Sequence, residues 1–462
     1  MSKLSPVRNE NLAILKSLST ESVIVLKTVN YFQARSHSVN CLKNILYFSK
    51  NFESIKFNFD DLMIPRPYYI EQLKRLKDKP IIKILTGTRR SGKSTILQLW
   101  KNELLASGIN ENHIIELNLA DLSNESLRNK KSLYDFIASK IAKDSIYYVF
   151  IDEIQECSGF EKVAESLMLF GNIDLYMTGS NAYVLSGELA TYLTGRYLEI
   201  KVYPFSFKEF LTTREHDEPS RENLAAYLTE GSFPGALLFR GMPRERKDYY
   251  QMLFDSMILK DVSNRKGIKD VTLLIKLSQI LASSLGSSLS VRKIANTAKS
   301  FGVSFSEPTI SAYLKALEDA YFCFKVPRFN LKGRQLLKQD EKYYLVDPTF
   351  RQFLISSTSP DLGHVIENIV YLELKRRYQS VYVGTDRTGE VDFVAANGND
   401  YVYYQVAAYL SDEQTLEREL NSLKNIADHY PKCILTLDPL FIGQQYSGIR
   451  CLSLLDWLVS EN

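Results

Sequence analysis

The stretch "IIKILTGTRRSGKST" (81–95) decides how this chain is read. A short apolar run ends at Gly87, and "GTRRSGKST" (Gly87–Thr95) then has the spacing G-x-x-x-x-G-K-[ST]. Glycine lacks a Cβ, so the backbone at Gly87 and Gly92 can wrap closely around phosphate oxygens. The N–H groups of such a loop, and of the helix after it, favour an anion. Gly87, Thr88, Arg89, Arg90, Ser91, Gly92, Lys93, Ser94 and Thr95 are therefore the candidate cradle for the phosphates of ATP. Lys93 is placed to reach the β- and γ-phosphates, and the Ser94 hydroxyl to ligate Mg²⁺. Arg89 and Arg90 either touch phosphate or are solvated.

The context on both sides fits. Short apolar runs "HIIELNL" (113–119), "IYYVFID" (146–152), "IDLYMTG" (173–179) and "YLEIKVY" (197–203) read as buried strands, with helical stretches between them. Strands alternating with helices predict an α/β fold, a parallel sheet with helices on both faces. The run "YYVFIDEIQ" (147–155) ends in two acids. Asp152 at the strand tip suits Mg²⁺, and Glu153 beside it suits polarising the attacking water. In "LYMTGSNA" (175–182), Asn181 or Ser180 is a candidate partner for that water or for the γ-phosphate, against the plainer reading of a capped turn. Arg196 in "LTGR" (193–196) is a candidate γ-phosphate contact, in cis or from a neighbouring subunit, against a surface ion pair. These readings make Glu153, Lys93, Asn181 and Arg196 the candidate catalytic set, with Ser94 and Asp152 at the metal.

Composition sets outer limits. The 462 residues allow two to four domains at roughly 150 residues each. A hydrophobic share of 45% and a charged share of 24% suit a globular chain, and no apolar run is long enough for a transmembrane helix. Five scattered cysteines without a CxxC pair argue against a disulfide framework and for a reducing, cytoplasmic setting. The net charge of +3 arises wholly in residues 1–62, which hold eight basic and five acidic residues. The remainder is balanced, so bulk charge gives no support for nucleic-acid binding.

Residues 206–268 read as helical, broken by "GSFPGA" (231–236). Over 269–350, "LLIKLSQILASSL", "SVRKIANTA" and "SEPTISAYLKALEDA" read as three helices, and "YFCFKVPRF" and "KYYLVDP" as strands, a winged helix-turn-helix pattern. Residues 351–462 read as a small α/β domain. Residues 1–62 are an appendage, an over-long gene start with Met63 as initiator, or an ordinary N-terminal subdomain.

The order "RRSGKST, FIDEIQ, TGSNA, LTGR, YPFSFKEF", followed by "GSFPGA", "ILKDV" (258–262) and "KYYLVD" (342–347), resembles a prokaryotic group of AAA-type P-loop ATPases that carry a C-terminal domain of unknown function. The resemblance spans about residues 63–460. It implies ATP binding and hydrolysis on an AAA-type domain (63–205), a helical linker or lid (206–268), a winged-helix segment (269–350) and a terminal domain similar to the restriction-endonuclease fold (351–462). In that fold Glu367, Asp392 and Gln405 stand at positions matching the acidic site, but Ala407 occupies the place of the lysine. A degenerate fold used for binding is therefore expected over a nuclease. The third helix offers Lys315 beside Glu318 and Asp319, which weakens a groove-reading role. The expected partners are ATP, a DNA or protein partner and a homo-oligomer. Two functions fit: an ATPase whose hydrolysis drives its C-terminal domains, or a slow ATP-gated switch.

Overall fold

The five runs of β-branched and aromatic residues become β1 (Ile82–Thr86), β2 (Ile114–Asn118), β3 (Tyr147–Asp152), β4 (Ile173–Gly179) and β5 (Tyr197–Lys201). They pair in parallel, in the order β2-β3-β4-β1-β5. The computed structural model describes residues 63–180, 193, 195–214, 216–262, 268, 270–300, 305–355, 362–385, 389–410 and 413–461. The segment 1–62 and Asn181 lie outside the described residues.

Burial on both faces explains the near-continuous apolar strands. One face is covered by α1 (Pro67–Leu76) and α2 (Lys93–Ala106), where Tyr69, Leu73, Ile96 and Trp100 pack on Leu85, Phe150, Tyr176 and Ile200. The other is covered by α3 (Lys130–Ala138) and α4 (Phe160–Met168), where Leu133, Val163 and Leu167 meet Ile84, Val149 and Leu175. Each face carries its own apolar layer, the P-loop NTPase arrangement that strand–helix alternation predicts.

Beyond Tyr203 a second core takes over and runs to Leu458. It begins with α5 (Phe207–Leu211), α6 (Arg221–Glu230) and α7 (Pro243–Ser256). Ser206 caps α5 in a reciprocal box with Glu209, each side chain bonding the other's backbone N–H. Then come α8 (Val271–Ser283), α9 (Val291–Ser300) and α10 (Glu307–Asp319), mutually packed, and the hairpin β6 (Cys323–Asn330) and β7 (Gln335–Leu345). Leu289, between α8 and α9, bridges antiparallel to Glu341 of the hairpin.

The hairpin is not confined to the three-helix segment. β6 pairs in parallel with β8 (Ser380–Thr385), which puts it in one sheet with β9 (Glu390–Asn397), β10 (Asp400–Ala407), β11 (Lys432–Thr436), β12 (Gln445–Tyr446) and β13 (Ile449–Ser453). The eight strands run β12-β13-β11-β10-β9-β8-β6-β7. The sequence division at 350/351 thus cuts through hydrogen-bonded strands. Two parallel pairs follow the β8–β9–β10 meander, with α12 (Leu362–Arg377) and α13 (Glu413–Lys424) packed on the sheet and α14 (Leu454–Val459) closing the chain.

Two of the short signatures meet at one carboxylate. Asp347, from "KYYLVD", accepts from Ser232 N, Ser232 Oγ and Tyr250 Oη, each at 2.8 Å. Gly231 has no alternative there, because a Cβ would fall 1.6 Å from the Tyr250 hydroxyl oxygen. The short α11 (Thr349–Leu354) begins on the same group, with Thr349 N donating to Asp347. Among the described residues no helix is long and apolar enough to cross a membrane.

Glu318 on α10 gives this half a pH signature. Burial pushes its carboxyl up to about 7, against weak relief from Lys325 and Lys315. The folded chain then holds a proton that the unfolded chain releases near 4.5, so stability falls between about pH 4.5 and 7 and is flat above. We predict that Glu318→Gln flattens this decline, gaining up to about 3 kcal/mol on wild type at pH 7.5 relative to pH 4.5. Thermal unfolding of both proteins across that range checks it; parallel curves would count against it.

Candidate nucleotide site

The site lies at the carboxyl ends of β1, β3 and β4, where open α/β sheets place their ligands. β1 sits between β4 and β5, while β3 lies one strand further out. Groups at the tips of β1 and β3 are thus about 10 Å apart across the sheet, with β4 between them.

The loop between β1 and α2 has the backbone its glycines allow. Gly87 takes φ 141° with its Cα pressed against β5, so that a Cβ would lie 2.1 Å from the Val202 carbonyl oxygen. Gly92 caps α2 at φ 96°. That cap supplies no side-chain acceptor, and the first turn holds no acid. The first N–H groups of α2 are thereby left for an outside anion. Two hydroxyls of the same loop, Thr88 Oγ1 and Ser91 Oγ, are buried without a partner among the described residues. Lys93, 4% exposed, folds back and donates to the Gly87 and Thr88 carbonyls at 3.0 and 2.9 Å. A loop with uncapped amides, orphan hydroxyls and a re-directable ammonium fits a triphosphate. Arg90 is exposed at φ 61° and Arg89 is partly buried; Thr95 follows Ser94 in the first turn of α2.

The acids stand opposite. Asp152 ends β3, and its carboxylate accepts from Thr178 Oγ1, with the Ser94 hydroxyl near enough to lower its pKa. Burial raises its pKa, with the Glu153 charge adding to the rise and the two hydroxyls and Lys93 opposing it. Ser94 and Asp152 therefore face the same space, and a divalent ion would meet both there. Glu153 follows in a left-handed conformation (φ 53°), its N–H donating to Thr178 Oγ1 at 2.9 Å. Gln155 Nε2 donates to the Glu153 carboxylate and, at 3.3 Å, to Ser180 Oγ.

Three outcomes differ from the sequence reading. Thr178, not singled out there, is the β4 residue that holds Asp152 and Glu153 together; its position beside the acid pair in a parallel register was the available signal. Arg196 does not join the site of its own chain. It precedes β5, whose start pairs with the start of β1, and the Arg196 carbonyl accepts from Ile82 N. Five strand residues separate it from the loop, about 17 Å. Its guanidinium is half-exposed and paired with Glu165 at 3.3 Å. This removes contact in cis. The third residue is Arg66, which lies just before α1. Buried at 2% exposure, it donates to Ser91 O at 3.0 Å and Tyr203 O at 2.9 Å and pairs with Glu209. Nothing in "MIPRPYY" marks it, because its partners are 25, 137 and 143 residues away.

The C-terminal acids also come together. Glu367 on α12 and Glu390 on β9 each stand 2.8 Å from the ammonium of Lys342 on β7, with Asp392 at 3.8 Å. Burial alone would lower the Lys342 pKa, but the three carboxylates outweigh it and hold it raised. Burial and Glu367 push Asp392 well up. Gln405 Oε1 accepts from Asp392 N, and Gln405 Nε2 donates to Glu419. A polar cavity of about 640 Å³, lined by Glu390, Asp392, Gln405 and Glu419, opens beside them. Lys342, from another strand, thus stands between the carboxylates. On α10, Lys315 is paired with Asp319 at 3.0 Å.

Arg66→Ala strips two buried carbonyls of their donor and leaves the Glu209 carboxylate without its cation. We predict a loss of about 3–5 kcal/mol in urea unfolding; a change below about 1 kcal/mol would refute the bracing role.

Residues 79–211 match the AAA domain family, and residues 221–361 match a domain of unknown function (DUF8612). An uncharacterized protein of Haemophilus influenzae is 36% identical over 402 residues, covering 86% of this chain and 99% of the relative. The uncharacterized protein MJ1544 of Methanocaldococcus jannaschii is 29% identical over 370 residues, 76% of this chain and 79% of the relative. Among solved structures, the Walker-type ATPase PABY2304 of Pyrococcus abyssi aligns at 16% identity over 63% of this chain and 95% of that one, with a TM-score of 0.45. The chain belongs to the family of the Haemophilus influenzae protein, with an AAA-type P-loop ATPase domain followed by a domain of unknown function.

Proposed function

We propose that the protein binds ATP with Mg²⁺ and hydrolyses it, and that Glu153 is the general base. The observation that carries this reading is the convergence of the phosphate loop and the acid pair at one end of the parallel sheet, with Ser94 and Lys93 near enough to Asp152 to lower its pKa. The uncapped amides of α2 and the Lys93 ammonium receive the β- and γ-phosphates, Lys93 exchanging its two loop carbonyls for phosphate oxygens. Ser94 and Asp152 would hold Mg²⁺, which when bound offsets phosphate charge. Glu153 takes a proton from water as the water oxygen bonds to the γ-phosphorus and the bond to the ADP oxygen breaks, giving ADP and phosphate. Asn181 is retained as a candidate partner of that water. Arg196 is retained as a γ-phosphate contact from a neighbouring subunit of a homo-oligomer, which its exposure permits.

Hydrolysis is proposed to act on the C-terminal half through α12. Arg376 near its end donates to Pro204 O at 2.9 Å, just past β5, and Glu367 near its start holds Lys342. The three helices and hairpin of 270–345 are read as a winged helix, supported by the bridge of Leu289 to the hairpin. Its α10 has its one lysine committed to its own acids, which favours a protein partner over DNA. The terminal sheet is read as a restriction-endonuclease-like fold used for binding.

Lys93→Ala is expected to reduce ATP turnover by at least about 100-fold, with loss of nucleotide binding. Glu153→Gln is expected to retain ATP while lowering turnover about 10²–10⁴-fold. Phosphate release and a fluorescent-ATP titration on each purified variant decide both. Wild-type hydrolysis by Lys93→Ala would remove the site, and by Glu153→Gln would move the base elsewhere.

A further inference from the structure

The mechanism above leaves one side chain at the site unexplained. Gln155 lies two residues beyond Glu153 in a short turn, and its Nε2 is engaged twice, by the Glu153 carboxylate and by Ser180 Oγ. Its Oε1 is buried and has no partner among the described residues. The amide cannot simply be reversed, because its oxygen would then face the oxygens of a carboxylate. A buried carbonyl without a donor is unfavourable, and such groups in native folds are met by water or ligand. Here the orphan oxygen is carried on the same planar group that grips the candidate base. Glu153 also cannot reorient freely: its backbone is fixed at φ 53° and its N–H is held by Thr178.

We infer that Gln155 is a positioning residue for hydrolysis: its Nε2 aims the Glu153 carboxylate and its Oε1 accepts a hydrogen bond from the attacking water. The water then faces two acceptors, Glu153 for the proton it gives up and Gln155 for the proton it keeps, which fixes the direction of its oxygen lone pair. Ser180, fully buried at the end of β4, steadies the amide from behind. The inference rests on Glu153 being the base.

Gln155→Leu, of similar size, is expected to lower kcat at least about tenfold while leaving the KM for ATP within about twofold. Ser180→Ala is expected to act in the same direction by a few-fold and covers the case in which Gln155→Leu does not fold, as judged by its melting curve. A residue that merely fills space would lower the melting temperature and disturb KM together with kcat. If Gln155→Leu, or in its absence Ser180→Ala, keeps wild-type kcat, or changes KM as much as kcat, while Glu153→Gln is dead, this inference fails alone. If Glu153→Gln itself turns over normally, the underlying base reading fails with it.

Discussion

One buried guanidinium ties the nucleotide loop to everything that follows it in the chain. Arg66 holds the Ser91 carbonyl inside the loop, the Tyr203 carbonyl where the parallel sheet ends, and the Glu209 carboxylate that also caps α5. A charge so deeply buried is tolerated only when its donors are spent on acceptors. Each of its three partners is therefore located by the other two. The loop cannot drift from the end of β5, and Gly87, already against the Val202 carbonyl, is pinned from the other side. A phosphate cradle must be shaped before its ligand arrives if its amides are to converge, and this ion pair keeps that shape.

The acid side of the site is organised by a different device. Asp152 and Glu153 are neighbours in sequence, but in the proposed reaction they need different directions, one toward the metal and one toward the water. Thr178 serves both by receiving the Glu153 N–H and donating to Asp152. The left-handed backbone at Glu153 turns the chain sharply enough for the two carboxylates to diverge. Strain of this kind is consistent with a site in which geometry outranks local preference.

Local sequence carried the phosphate loop because its chemistry is written in consecutive residues: "GTRRSGKST" states its glycines, its lysine and its hydroxyl in order. The five parallel strands were legible for a similar reason, since burial on both faces leaves runs of apolar residues that polar helices interrupt. Thr178 and Arg66 were not legible, because an alternating strand does not say which polar residue faces a neighbour's tip, and a lone arginine does not announce partners more than a hundred residues away. The sequence placed Arg196 at the start of its strand; only the parallel pairing of β5 with β1 shows that this end lies away from the phosphate loop. Lys342 was missed because the ladder that carries it belongs to a sheet assembled from segments on both sides of residue 350.

That shared sheet limits how the molecule can be taken apart. Cutting the chain near residue 350 would peel β6 and β7 away from β8, baring a row of unpaired amides and carbonyls on one fragment and an unsupported ribbon on the other. It would also leave Glu367, Glu390 and Asp392 facing one another without their ammonium. Fragments made that way would aggregate for reasons unrelated to any role of the intact protein. The cut that respects the hydrogen-bond ladders lies beyond β5, where the parallel sheet ends.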